Sequence, residues 1–239
     1  LFADLEHEGV CPYLVFDPDP DYGTGRVGVI VAVDGERDMV CDRRANARLS
    51  VDDIPEDVVA GAEWLHVSGY VFLEEAPAKA ARYCIDMARE AGVPVSVDPA
   101  AYSFIQTLGR EAFLDLCEGA AVILPNLDEG RAMTGLEQPE GIASCLLDYF
   151  PVVALKLGAG GCLGMARQWS GTGTAGISTG EKGLVAAVRF AAVPTRVVDT
   201  TGAGDAFDAG FVLEYSRGAG LAASLARANE MGARVVSRM

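Results

Sequence analysis

The chain has 239 residues, half of them hydrophobic, and a formal net charge of −15. That length and apolar content suffice for one large α/β domain, while so acidic a surface repels phosphate backbones and argues against nucleic acid as a partner. No apolar run approaches the roughly 20 residues of a membrane-spanning helix, and the six cysteines (Cys11, Cys41, Cys84, Cys117, Cys145, Cys162) are scattered without a C-x-x-C pair, which argues against a zinc site or disulfide framework and fits a reducing, cytoplasmic setting.

In chain order, residues 1–10 read as the tail of a helix that stops at Gly9. Residues 11–50 are β-rich. A strand is predicted over 27–33, Asp34-Gly35 is a hairpin signal, and 37–41 pair back, with the Pro, Asp and Gly cluster at 17–25 as loop. From residue 57 strands alternate with helices. Strands are predicted at 64–68, 94–98, 121–124, 152–156 and 162–166, the last pairing after the one before it. Helices are predicted at 76–91 with Gly92 as the stop, then at 111–117, 129–133, 141–150, 202–216 and 221–236. Residues 169–183, rich in Gly, Ser and Thr, read as a loop or mobile hairpin, and 190–198 as a β-type run. Apolar strands separated by amphipathic helices mean βαβ units and a mostly parallel sheet covered on both faces. The early β-rich stretch is then a separate small antiparallel flap. In such a sheet ligands bind beyond the carboxyl ends of the strands. Ser68, Asp98, Asn126, Lys156 and the stretch 199–205 would meet there along one edge.

The run Asp199-Thr200-Thr201-Gly202-Ala203-Gly204-Asp205-Ala206-Phe207-Asp208-Ala209-Gly210-Phe211 carries the clearest chemistry. Three small residues at a helix N-terminus leave backbone N–H groups bare where the dipole favours anions. Asp205 sits in the first turn beside them. A carboxylate next to an anion hole suits removal of a proton from a hydroxyl while negative charge builds nearby. The plain structural alternative is a small-residue helix start packed closely on a strand. Asp208, three residues beyond Asp205, is expected on the same helical face; it could tune Asp205 by like charge, but the expectation is that it is solvated. Asn126-Leu127-Asp128-Glu129 follows a strand and starts a helix; it reads as a capping box and also as a pair of oxygen ligands around Mg²⁺, its waters and phosphate. Lys156-Leu157-Gly158-Ala159-Gly160-Gly161 ends a strand. It reads either as an ordinary glycine turn or as backbone N–H groups and a cation for phosphates, and it is not a P-loop. His66 reads as a core or edge residue, and Asp98-Pro99 ends a strand at the ligand edge, where Asp98 is a candidate for a substrate or water–metal role.

Together these segments resemble the ribokinase-like (PfkB) family of carbohydrate and nucleoside kinases. The stretch 199–211 looks like the family's C-terminal motif. Asn126 to Glu129 is similar to its Asn-x-x-Glu motif, residues 156–161 to its strand-end loop at the ATP phosphates, and residues 42–49 to the segment leaving its β lid. The resemblance implies a single domain over 1–239 with a three-layer αβα ribokinase-like fold, a mostly parallel sheet, and a small β-sheet lid at about 11–50. It implies Asp205 as the base, with the amides of Gly202, Ala203 and Gly204 as the anion hole for the γ-phosphoryl group. Asn126 and Glu129 would organise Mg²⁺ and phosphate, Lys156, Gly158 and Gly161 would line the ATP phosphates, and Asn229 would lie near the adenine. Asp199 and Thr201 match residues that hold a monovalent cation, such as K⁺, in some members.

The function so implied is ATP-dependent phosphorylation of a hydroxyl on a sugar or sugar-like molecule. A nucleoside kinase on the same scaffold and a non-catalytic nucleotide- or sugar-binding protein are the alternatives. Lids of this family often mediate dimers, which points to a homodimer. Three departures stand out. The family's N-terminal βαβ unit, with its strand aspartate and Gly-Gly sugar clamp, is expected to be missing before Leu1, and its glycine-containing turn is expected to lie beyond Met239. Position 208, often Asn in the family, is Asp here.

Overall fold

In the computed structural model the described residues are 2–14, 19, 23–31, 37–100, 102–167 and 185–237. The Asp34-Gly35 hairpin signal, most of the 17–25 loop and all of 169–183 lie outside them. Helix α1 (Phe2–His7) ends ahead of Gly9, whose φ of 79° fits its place as the stop. Strands β1 (Arg26–Val31) and β2 (Arg37–Asp42) pair antiparallel as a separate two-stranded sheet. A 3₁₀ segment, Arg44–Arg48, leads away from it.

The main body follows in order: α2 (Glu56–Ala60), β3 (Leu65–Ser68), α3 (Glu75–Glu90), β4 (Val95–Asp98), α4 (Tyr102–Leu108), α5 (Arg110–Leu116), β5 (Val122–Ile123), α6 (Leu127–Thr134), α7 (Pro139–Leu146), β6 (Val152–Lys156), β7 (Cys162–Arg167), β8 (Val185–Phe190), α8 (Ala203–Ser216) and α9 (Gly220–Val236). Strands β3 to β8 lie in the sheet in that same order. Among the described residues, β3, β4, β5 and β6 pair parallel, and β7 and β8 add antiparallel. The expected β-type run over 190–198 is not a strand. Phe190 ends β8, and 191–200 run on without a ladder until backbone bonds from Val198 and Asp199 to the Val236 carbonyl tie them to the end of α9. Val193 and Val197 supplied the β-type pattern, yet both are exposed and make no sheet.

Period-2 alternation builds the three layers. Val153 and Leu155 of β6, Ile123 of β5 and Leu163 and Met165 of β7 join one buried cluster with Ile85, Phe113, Ile142 and Leu146. Their neighbours Val152, Ala154, Val122, Cys162 and Ala166 face the opposite cluster, with Phe207, Phe211, Leu225 and Ala228 of α8 and α9. The sheet is therefore covered by helices on both faces, as expected. No helix among the described residues is long and apolar enough to cross a membrane.

Candidate active site

Four elements bring polar groups to the carboxyl edge of the sheet. Strand β4 delivers Asp98, the β5–α6 junction Asn126 and Glu129, β6 its last residue Lys156, and α8 its first turn. Asn126 also bridges to Lys156 through the backbone, in the same register as the β5–β6 pairs and three residues further toward the edge.

The α6 start is a complete capping box. Asn126 Oδ1 accepts from the Glu129 amide at 2.9 Å, Glu129 Oε2 accepts from the Asn126 amide at 2.8 Å, and Asn126 Nδ2 donates to Glu129 Oε1 at 2.7 Å. The cap buries a carboxylate, leaving Glu129 3% exposed. Burial, then the charge of Asp98, pushes its pKa up to about 7, against the Asn126 hydrogen bond and Lys156. A buried carboxyl beside a second acid is a place where a cation would be welcome. Among the described residues no three His, Cys, Asp or Glu side chains close on one point.

Lys156 departs from the picture of a lysine waiting for phosphate. Its Nζ lies 3.2 Å from Asp98 Oδ1 and 3.1 and 3.2 Å from the two oxygens of Asp208. Its side chain is 13% exposed. Burial works against the charged amine, but Asp208, Asp98 and Glu129 outweigh it and hold the lysine above its ordinary range. Burial pushes the Asp208 carboxyl up as well, to about 8, and Lys156 pulls it back. With the ammonium on both its oxygens, the ion pair is the form the geometry favours.

Asp208 corrects the expectation of a solvated acid: it is 2% exposed. Asp205, three residues earlier, is exposed. Three residues turn a helix by about 300°, so the two side chains stand about 60° apart. That angle separates the α8 flank that packs on the sheet, with Phe207 and Phe211, from the flank that faces out.

The α8 N-terminus opens with Gly202 in a left-handed conformation, φ 76°, with no side-chain cap. The Ala203 amide donates to the Thr200 carbonyl at 3.2 Å, whereas those of Gly202 and Gly204 have no backbone acceptor among the described residues. A Cβ on Gly204 would meet only Lys156 Nζ, at 3.8 Å, so the ammonium stands at the mouth of this amide cluster. The Asp199 carboxylate accepts from the Thr201 amide at 2.7 Å, which folds the loop ahead of the helix and brings these two expected cation ligands together. Gly158 opens, and Gly161 follows, a 3₁₀ turn after β6. Asn229 donates from Nδ2 to the Ala191 carbonyl at 2.7 Å, fastening residue 191 to α9.

Two further groups stand at this edge: Tyr70, which was not singled out from sequence, and His66, which was read only as a core or edge residue. Tyr70, in the 3₁₀ segment Gly69–Leu73 after β3, has its pKa raised by burial and by Cys41 of β2, and then by Asp98, Glu129 and Asp205. Its phenol is thus within electrostatic reach of β2 and of the acids. Arg43 holds this segment, donating to the Tyr70 carbonyl at 2.8 Å. His66, an exposed position of β3, has Nδ1 2.8 Å from Ser96 Oγ; desolvation lowers its pKa while Asp98 and Asp205 oppose the shift.

A profile of pfkB family carbohydrate kinases matches residues 1–239. An uncharacterised sugar kinase of Archaeoglobus fulgidus is 28% identical over 218 residues, which are 91% of this chain and 78% of that one. A PfkB protein from Polaromonas superimposes with a TM-score of 0.77 at 30% identity, covering 99% of this chain and 74% of that one. Adenosine kinase from Sinorhizobium meliloti gives a TM-score of 0.82 at 25% identity over 99% and 68%.

Proposed function

The chain belongs to the pfkB family of carbohydrate kinases, and on that premise we propose that it transfers the terminal phosphoryl group of ATP to a hydroxyl of a sugar or sugar-like molecule. One observation carries the reading: the α8 N-terminus is open at Gly204 except for the Lys156 ammonium, and exposed Asp205 is the next residue along. A carboxylate, free amides and a cation are thus gathered within one helical turn.

Asp205 takes the proton from the acceptor hydroxyl as its oxygen attacks the terminal phosphorus, and ADP leaves with the bridging oxygen. The amides of Gly202 and Gly204 and the helix dipole meet the charge that develops on the phosphoryl oxygens. Ala203 contributes its helical geometry, since its own amide is engaged by Thr200. Glu129 and Asn126 fit Mg²⁺ held through water and phosphate rather than in an all-protein cage: Glu129 is buried, oxygen-only, and pushed up by a neighbouring acid that a cation would offset. When bound, the ion would neutralise phosphate charge. Gly158 and Gly161 would let the 3₁₀ turn approach the nucleotide, Asn229 would brace its base-side wall, and Asp199 with Thr201 would take a monovalent cation. Strands β1 and β2 expose Val27 and Val29 on one face and Ile30 and Val40 on the other. Such a sheet suits a lid that closes over the acceptor, excluding competing water, with its outer face against a second copy.

ADP release from MgATP across a panel of sugars and nucleosides tests the proposal. Stimulation by a sugar supports it. Stimulation by a nucleoside alone supports the second reading, favoured by the likeness to adenosine kinase. A full-length protein whose ADP formation no acceptor stimulates is not a kinase but a binding protein on the same scaffold.

A further inference from the structure

We infer that Asp208 is a positioning residue: with Asp98 it pins the Lys156 ammonium beside Gly204, so that a fixed cation meets the arriving terminal phosphate. The inference rests on the kinase reading above and adds to it a residue with no direct contact to either substrate.

Lysine has three N–H donors on a flexible stem. Here the contacts at 3.1–3.2 Å to Asp98 Oδ1 and to both Asp208 oxygens leave that stem little freedom. A cation ordered in advance does not have to be ordered during the reaction. Stability gives no equal reason for the arrangement, because well-packed apolar side chains of similar volume replace buried ion pairs at little or no cost.

The two aspartates are not equivalent. Asp208 rides on α8, one turn beyond Gly204, so a lysine bound to Asp208 keeps its register with the amide cluster whatever small shifts α8 makes. Asp98 stands on β4, a different element. Removing the Asp208 charge leaves the ammonium anchored to the sheet alone. Removing the Asp98 charge leaves it anchored to the helix that carries the amides.

The test measures acceptor-stimulated ADP formation and thermal unfolding in wild type, Asp208→Asn, Asp98→Asn, Lys156→Met and the double variant Lys156→Met/Asp208→Asn. Lys156→Met should lower kcat about 10²-fold, the scale of one transition-state donor. Asp208→Asn should lower kcat roughly tenfold more than Asp98→Asn, with the loss on kcat rather than on KM for ATP. The double variant should match Lys156→Met within about twofold, because Asp208 acts only through the lysine. Equal losses in the two Asn variants, an unchanged kcat in Asp208→Asn with only its unfolding temperature lowered, or losses that multiply in the double variant would overturn the inference. Should Asp208→Asn fail to fold, the double variant, which removes both partners of that ion pair, carries the same comparison. A wild type without acceptor-stimulated turnover fails the kinase reading, and this inference falls with it. An active wild type whose variants break the stated order fails the inference alone.

Discussion

Replacing Gly204 with alanine should separate chemistry from stability. Its backbone is helical, and an added Cβ would meet no packing neighbour closer than Lys156 Nζ at 3.8 Å. No steric penalty opposes the methyl group, and alanine is favoured over glycine in a helix by about 0.5–1 kcal/mol. In a domain of this size that corresponds to a rise of about 1–4 °C in unfolding temperature. The same methyl group would occupy the mouth of the amide cluster, where the phosphoryl group has to come within hydrogen-bonding distance of the Gly204 amide. Loss of one such donor costs about 10²–10³-fold in kcat. Gly204→Ala is therefore expected to be slightly more stable than wild type and at least about 100-fold slower in acceptor-stimulated ADP formation. Differential scanning fluorimetry and a coupled ADP assay on one preparation read both quantities. A variant that keeps wild-type turnover would show that no phosphate approaches this helix end.

Other outcomes follow from neighbouring residues. Asp205→Asn should lower turnover by about 10²–10⁴-fold while nucleotide binding by calorimetry persists, and unchanged turnover would remove Asp205 as the base. Gly161→Ala should destabilise by at least about 3 kcal/mol in urea titration, since its φ is 85° and a Cβ would lie 2.0 Å from the Phe190 carbonyl oxygen; a midpoint near wild type would refute that packing. Glu129 ties stability to pH. Its folded carboxyl keeps a proton up to about 7 whereas the unfolded one loses it near 4.5, so its contribution is full below that lower value and is lost as pH rises through about 7. The span is worth about 3 kcal/mol at most. In metal-free buffer Glu129→Gln should flatten this decline between pH 5 and 8, and parallel pH curves for the two proteins would contradict the shift.

Local rules made much of the site legible. Asn126 and Glu129 stand three apart ahead of an apolar run, and the box they form is the one their side chains can build. Gly202 to Asp205 read as a helix start and α8 begins at Ala203. The strands from 64 to 166 declared themselves by short apolar runs between glycine and proline stops. Helices α2 and α4 were not foreseen: each is short, with a single buried residue, Val59 and Ile105 respectively, too little for a period to show. The fate of Asp208 depends on Lys156, 52 residues away in sequence, and a pairing at that range leaves no periodic trace. A nearer clue was present. Asp208 lies between Phe207 and Phe211, both on the buried flank of α8, so its face was apolar even though its side chain was not. Tyr70 carried no motif, and only the approach of β2 and Asp205 gives it a place at the site.

Strands β3 to β8 occupy the sheet in the order in which they occur along the chain. Among the described strands, each can therefore dock on the edge left by its predecessor, and none of these has to be inserted between two others. A polypeptide leaving the ribosome can extend this sheet at a single growing margin. The polar groups arrive in the same sequence, with Asp98 first, then Asn126 and Glu129, then Lys156. Helix α8 follows with Asp205, and its preceding loop is fastened only once Val236 at the end of α9 is in place. The acids and the lysine are therefore made before α8, so a partly made chain carries these buried charges before Asp208, the partner of Lys156, exists.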